Sequence, residues 1–313
     1  LSANKIVHAA VAVLIREDDM VLLGNRPAGK PWAGWWEFPG GKIEDGEAPL
    51  EALQRELNEE LGVQATESYP WLVRTFDYPE KTVKLNFFIV RAWQGEPLGR
   101  EGQQLSWQNP TGLTVDPMLP ANTPILSALS LPPVYAITNL QEMGEASFFR
   151  ALLLQLEKGL KLIQVREKQL SSDALVTFAH KVLALARPFG ARVLMNADLD
   201  DVIKAGADGI HLNSIALMSL SEKPDGLIVA ASCHNPQEMV KATELNLDFV
   251  ALSPVLPTRS HPEVEGMGWE TFSNLKKDYP LPVYALGGMQ YSQLQNAWHA
   301  GAHGIAMQRA VWE

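Results

Sequence analysis

Apolar positions in the first half of the chain gather in short runs, His8–Ile15, Met20–Gly24 and Val83–Trp93, each of strand length and separated by turn residues such as Glu17-Asp18-Asp19 and Pro39-Gly40-Gly41. Among them, Ala48–Leu61 changes period: apolar residues recur at helical spacing while carboxylates occupy the positions between. Together these features predict an α+β unit, a mixed sheet with flanking helices.

From Asn109 to Pro133 the pattern is broken by prolines at 110, 117, 120, 124, 132 and 133, which predicts a docked loop with a short helix and then a linker. The expected boundary lies near Ser130, giving units 1–130 and 131–313. Beyond it the rhythm is regular. Apolar runs at 134–138, 161–165, 192–195, 208–212, 227–231, 248–252, 282–286 and 303–307 alternate with helical spacers such as Phe148–Lys158, Asp173–Arg187 and Pro236–Leu245. Eight strands with helical crossovers predict an α/β (β/α)8 TIM barrel, whose chemistry belongs at the C-terminal ends of the strands.

Composition constrains function in three ways. A formal net charge of −10 excludes a generic binder of nucleic-acid polymers, which needs a basic surface to release counterions, so anionic substrates would have to be met through metal ions. The single cysteine, Cys233, excludes an internal disulfide framework. No apolar run reaches membrane-spanning length and the starting residues LSANK hold no signal-peptide core, so no membrane contact and a cytoplasmic location are expected.

The acidic helix carries the first candidate chemistry. Glu56, Glu59 and Glu60 share a face at i, i+3 and i+4, and like charges at that spacing repel. A merely solvated face would intersperse Lys or Arg, whereas the helix holds only Arg55. The pattern favours a divalent-cation site in which oxygen ligands on a rigid helix support a hydrated Mg2+ bridging to phosphates, and Gly40-Gly41 lets the backbone approach it.

Gly41, Glu47, Arg55-Glu56-Leu57, Glu59-Glu60 and Gly62-Val63 fill every fixed position of G-x5-E-x7-R-E-U-x-E-E-x-G-U, with U apolar. By this motif the first unit resembles the Nudix hydrolases. The resemblance implies Mg2+-dependent hydrolysis of a nucleoside diphosphate linked to another group, with Mn2+ an alternative. It further implies that Glu56, Glu59 and Glu60 are metal ligands or water activators, that the Gly40 carbonyl is a ligand, and that Arg55 orients the carboxylates. Glu47 stands near the positive end of the helix dipole as a supporting carboxylate.

WWEFPGGKIEDGE (35–47), GEPLGREGQQLSW (95–107) and LPANTPIL (119–126) resemble the MutT-type 8-oxo-dGTP diphosphatases in particular. That likeness implies a metal-binding carboxylate at Glu101, a purine-reading amide at Asn122, Phe38 beside the base, Arg26 on phosphate or sugar, and Lys81 on the nucleotide. The expected reaction converts 8-oxo-dGTP to 8-oxo-dGMP and pyrophosphate, sanitising the nucleotide pool before replication. Taken alone, Asn122 beside prolines reads first as a turn cap, and it is the PANTP context that turns it toward the base, whereas Phe38 reads equally as core. Trp32, Trp35 and Trp36 read as packing residues before stacking platforms.

QVREK (164–168), ADGIHL (207–212), ASCHNPQE (231–238), ALSPVLPTRSH (251–261) and YALGGM (284–289) resemble thiamine-phosphate synthase and the related thiazole tautomerase. The synthase pattern places an Asp after the third strand and another after the His-x-Gly-Gln stretch; Asn196-Ala197 and His211-Leu212-Asn213-Ser214-Ile215-Ala216 stand there instead, and His261 replaces a basic residue of the sixth loop. The barrel is therefore expected to lack synthase activity, with Gln164, Arg166, Lys168, Asn196, Ser232, Thr258, Gly287 and Gly288 retained as positions for a thiazole-phosphate-like ligand and His234 as an acid–base candidate. A bound thiazole phosphate, a proton shift and a degenerate partner domain all remain open. So does a coupling of both halves to thiamine-pathway diphosphates, or a barrel that senses or scaffolds.

Overall fold

The computed structural model describes residues 6–78, 81–258 and 265–313. One compact unit runs to Ser130, and a second holds most of the residues from Leu131 on. His261 lies outside the described residues.

The first unit contains β1 (Ile6–Leu14), β2 (Val21–Asn25), β3 (Trp36–Glu37), β4 (Gly40–Lys42), α1 (Pro49–Leu61), β5 (Gln64–Tyr78), β6 (Lys81–Gln94), β7 (Leu105–Gln108) and α2 (Thr123–Leu129). One sheet has the order β4-β1-β6-β5, with β1 and β6 parallel and the outer pairs antiparallel; a smaller antiparallel sheet has the order β3-β2-β7. Successive side chains of β1 point to opposite faces, and from Ala10 to Leu14 both faces are buried. Ala10, Ala12 and Leu14 pack with Ala52, Leu53, Leu57 and Leu61 of α1, while Val11 and Val13 pack with Phe38, Phe87 and Ile125. Fully burying a side chain such as Leu57 contributes about 1.5–3 kcal/mol, which pins α1 to the sheet through its apolar stripe and turns its carboxylates elsewhere.

Helix α1 begins where the sequence places it. Pro49 occupies the first turn, and the Glu51 carboxylate accepts the Ala48 backbone N–H at 2.9 Å. By contrast, Gln64–Tyr78 has no strand signature of its own, since Pro70 and several charges interrupt it. It still pairs with β6, through a register broken by irregularities from Ala65 to Ser68 and between Pro70 and Val73.

The second unit contains β8 (Val134–Ile137), α3 (Leu140–Met143), α4 (Glu145–Glu157), β9 (Leu162–Val165), α5 (Ser172–Ala186), β10 (Arg192–Met195), α6 (Leu199–Ala205), β11 (Gly209–Leu212), α7 (Ser214–Ser219), β12 (Ile228–Cys233), α8 (Pro236–Glu244), β13 (Phe249–Leu252), α9 (Gly268–Lys276), β14 (Val283–Leu286), α10 (Leu294–His299) and β15 (Gly304–Met307). Its eight strands, all parallel, close into a barrel, each at the position of one of the eight apolar runs. Alternate residues, among them Tyr135, Leu162, Leu194, Ala230, Phe249 and Tyr284, form one buried cluster. No helix among the described residues is long and apolar enough to cross a membrane.

Candidate active site

The apolar stripe of α1 fixes which of its carboxylates face inward. Glu56 and Glu60, one turn apart, line a cavity of about 750 Å³, whereas the Glu59 side chain is 56% exposed and does not line it. The three glutamates expected to act together are thus divided two and one.

Strand β4 runs beside this pair closely enough to require glycine twice. Gly40 has φ of 144°, and a β-carbon there would lie 2.2 Å from the Ala10 carbonyl oxygen; its N–H donates to Glu60 Oε2 at 3.2 Å. A β-carbon on Gly41 would lie 2.3 Å from the Glu56 carboxylate.

Arg55 joins the remaining members. Its Nε and Nη2 donate to the two Glu47 oxygens at 2.9 Å each, Nη1 donates to Glu56 Oε1 at 2.8 Å and Glu59 Oε2 at 3.2 Å, and Nη2 also reaches the Lys42 carbonyl at 3.0 Å. Hydrogen bonds donated to Glu47 and then to Glu56 raise the guanidinium further above its ordinary value, and Arg55, with the Glu44 N–H, holds the Glu47 carboxyl below its own. A planar five-donor fork can serve all these acceptors at once.

The cavity gathers Arg26, Phe38, Gly40, Glu56, Glu60, Lys81, Glu101 and Asn122, so of the residues expected to bind metal or nucleotide only Glu59 stays outside; Arg55 is behind the wall. Burial pushes the Glu60 carboxyl up to about 7 against the opposing Gly40 N–H, with repulsion from Glu56, Glu101 and Glu37 adding to it. Among the described residues no three His, Cys, Asp or Glu side chains already converge on one point for a metal ion. Their oxygens are otherwise engaged: Glu56 with Arg55, Glu60 with Gly40, and Glu101 with Lys30 Nζ at 2.5 Å. The donor set and its mutual repulsion nevertheless suit a hard cation, which would relieve the charge that burial makes costly.

Asn122, which also lines the cavity, is buried, and its amide Nδ2 donates only weakly, to Met118 Sδ at 3.8 Å. Phe38 is both core and cavity wall, so the two readings of it coincide. Arg26 lines the cavity with protein partners of its own: Nη1 grips both Glu37 oxygens at 2.7 and 2.8 Å, and Nε donates to the Pro31 carbonyl at 2.7 Å. It organises the 26–35 loop that borders the cavity. Trp36 packs into the core as expected, but Trp32 does not; it is 47% exposed, has φ of 62°, and lines the cavity with its ring edge-on to Trp35 at 4.8 Å. Lys30 belongs to no motif, and Glu37, though inside the WWEFPGG stretch, shows its role only through its contact with Arg26.

Inside the barrel, side chains of β8, β9, β11 and β12 meet in a hydrogen-bonded chain. Gln164 Nε2 donates to Tyr135 Oη at 3.0 Å, Tyr135 Oη lies 3.1 Å from His211 Nδ1, and His211 Nε2 lies 2.9 Å from Ser232 Oγ. Since the tyrosine accepts from Gln164, its proton points to Nδ1, which leaves Nε2 protonated toward Ser232. Burial drives the His211 imidazole down to about 3, and the Arg166 charge acts in the same direction.

Several retained positions are occupied by the fold itself. Asn196 Nδ2 donates to the His211 carbonyl at 2.7 Å, Asn213 caps α7 by accepting the Ala216 N–H at 2.9 Å, and Asp198 precedes α6 with its carbonyl accepting from Asp201 at 3.0 Å. Arg166 is partly buried and its backbone N–H donates to Thr138 Oγ1 at 3.0 Å, while Lys168 is exposed. Gly287 and Gly288 adopt φ of 102° and 68° where β-carbons would lie 2.9 Å from Pro254 Cα and 2.7 Å from Leu256 Cβ. Their close approach is therefore to the loop that leads to Thr258. His234 stands apart from the Tyr135–Ser232 chain, exposed, with Nδ1 held 3.0 Å from Glu238 Oε2.

Comparison with known proteins divides the chain in the same way. A family described as "NUDIX domain" matches residues 6–129, and one described as "Thiamine monophosphate synthase" matches 134–311. The "8-oxo-dGTP diphosphatase" of Escherichia coli (strain K12) is 37% identical over 125 residues, 40% of this chain and 97% of its own length. The "CTP pyrophosphohydrolase" of the same organism is 37% identical over 118 residues, 38% of this chain and 87% of its own. The "Putative thiamine-phosphate synthase 2" of Aquifex aeolicus (strain VF5) is 34% identical over 180 residues, 57% of this chain and 96% of its own.

Proposed function

The chain belongs to the Nudix family in its first unit and to the thiamine monophosphate synthase family in its second, and from that premise we propose that it hydrolyses 8-oxo-dGTP to 8-oxo-dGMP and pyrophosphate. The observation that carries this reading is the joining, in one cavity, of the carboxylates Glu56, Glu60 and Glu101 with the buried amide of Asn122. Groups suited to phosphate chemistry and to base recognition thus line one space of a size that suits a nucleotide.

Mg2+, with Mn2+ as an alternative, would be held by Glu56, Glu60, Glu101 and the Gly40 carbonyl, and when bound it would neutralise phosphate charge and acidify a water. Arg55 keeps Glu56 in a fixed direction through its Nη1 bond. Glu60, whose carboxyl is pushed up to about 7 by burial and by its acidic neighbours, is the carboxylate whose ionised form a bound cation would favour most. Glu59, held by Arg55 at the exposed edge, supports the pair through that guanidinium. Asn122 offers a donor and an acceptor to a base edge, Phe38 supplies an apolar wall, and Lys81 supplies charge.

For the barrel we infer a phosphate-ligand-binding unit without synthase turnover. Ala197 and Ala216 stand where the synthase pattern has carboxylates, and Asn196 and Asn213 are committed to backbone partners. The fused barrel gives weight to a second reading, in which thiamine-pathway diphosphates are the substrates of the first unit. A hydrolysis panel of 8-oxo-dGTP, dGTP, CTP and thiamine diphosphate with Mg2+ separates these readings. A kcat/KM for 8-oxo-dGTP no higher than for the others would sink the first.

A further inference from the structure

The loop between β2 and β3 is closed at its neck and tethered at its tip. At the neck, the Arg26 N–H donates to the Trp35 carbonyl and the Gly34 N–H to the Arg26 carbonyl, both at 2.8 Å, while the Arg26 side chain binds Pro31 and Glu37. At the tip, Lys30 reaches Glu101, another residue of the cavity lining, 71 residues further along the chain. Both partners are close to half exposed, so in itself the pair adds little to folding stability.

Its position matters more than its strength. Glu101 and Glu60 both raise the Lys30 ammonium above its ordinary value, Glu101 through a direct hydrogen bond and Glu60 through its charge. Lys30 in turn opposes the upward shift of Glu37. Lys30, Glu37, Glu60 and Glu101 all line the one cavity, and the ammonium occupies an oxygen of Glu101 that a cation bound there would need.

We propose that Lys30 is a resident counter-cation: it holds Glu101 while no divalent ion is bound, is exchanged for that ion when Glu101 coordinates it, and is then free in the cavity lining to pair with the phosphates of the substrate. This rests on the reading of the cavity as a site for a divalent cation and a nucleotide. The loop's sealed neck lets the tip lysine change partner without unravelling the strands on either side.

The test is Mn2+ binding to the full chain without nucleotide, followed by electron paramagnetic resonance. Lys30→Met should tighten Mn2+ binding about two- to fivefold, the range of an exposed ion pair, and Lys30→Arg should leave it near wild type. In a Glu101→Gln background the Lys30→Met change should add nothing, because the competition it relieves is gone. An unchanged or weaker affinity in Lys30→Met overturns the proposal, and so does an equal gain in the Glu101→Gln background. If these shifts appear while 8-oxo-dGTP is not preferred in the hydrolysis panel, the exchange stands and only the substrate reading falls. A wild-type chain that binds no Mn2+ removes both.

Discussion

Arg55 holds Glu47 through two parallel bonds, Nε to Oε1 and Nη2 to Oε2, each 2.9 Å long, so the middle of α1 is fastened to the loop that enters it. The same guanidinium reaches Glu56 and Glu59. Lysine at 55 would keep the charge but not the fork. Arg55→Lys is therefore expected to lower kcat/KM by about tenfold or more, with KM changing less than kcat, because it loosens a carboxylate rather than a substrate contact. Steady-state kinetics measures this, and wild-type kcat would show that the fork does no positioning.

Gly41 offers a change from the opposite side. A methyl group there must move the Glu56 carboxylate, which is the end of a flexible side chain, so the fold can yield where the chemistry cannot. Gly41→Ala should cut kcat by about a hundredfold while thermal unfolding shifts by only a few degrees. A variant with intact activity would place Glu56 outside the reaction.

The division of the glutamates makes a ranking. Glu56→Gln and Glu60→Gln alter groups inside the cavity, whereas Glu59→Gln alters an exposed one held by Arg55. The first two should each cost at least about tenfold more in kcat than the third. Equal losses in all three would mean that Glu59 turns inward in the working enzyme.

Asn122 has amide capacity to spare, since its donor meets only the soft Met118 sulfur. If it reads the base, Asn122→Ala should erode the preference for 8-oxo-dGTP over dGTP by about tenfold or more through kcat/KM, leaving the metal requirement unchanged. Loss of rate on both substrates in equal proportion would instead make it a packing residue.

Most of this site was legible from the chain because the Nudix motif is a fixed-spacing pattern on one helix, and helix geometry converts spacing into direction. The eight barrel strands were equally plain, each an apolar run between helical spacers. What spacing could not convey was pairing at a distance. Arg26 reads as a free loop cation until Glu37 is found beside it, Glu101 reads as an open carboxylate until Lys30 is found on it, and Glu59 reads as equivalent to Glu56 until the apolar stripe of α1 sets the helix's rotation. Gln64–Tyr78 was hidden for a related reason: its strand is made by pairing with β6 and not by its own alternation.

His211 gives the barrel a pH dependence of definite sign. It is buried among Tyr135, Ser232 and Asn196 with the Arg166 charge nearby, and its imidazole is held down to about 3 against an ordinary 6.5. Below pH 6.5 an unfolded chain takes up a proton that the folded barrel refuses, so stability falls as pH drops from about 6.5 toward 3 and is fully present above that window. Between pH 7 and 5 this one group should cost about 2 kcal/mol. Because the chain has two units, a single melting curve mixes them; native-state hydrogen exchange at the β11 amides reads the barrel alone. His211→Asn lowers stability at every pH by disturbing the chain to Ser232, yet it should remove most of the difference between pH 7 and pH 5. An undiminished difference in that variant would assign the acid sensitivity to another group.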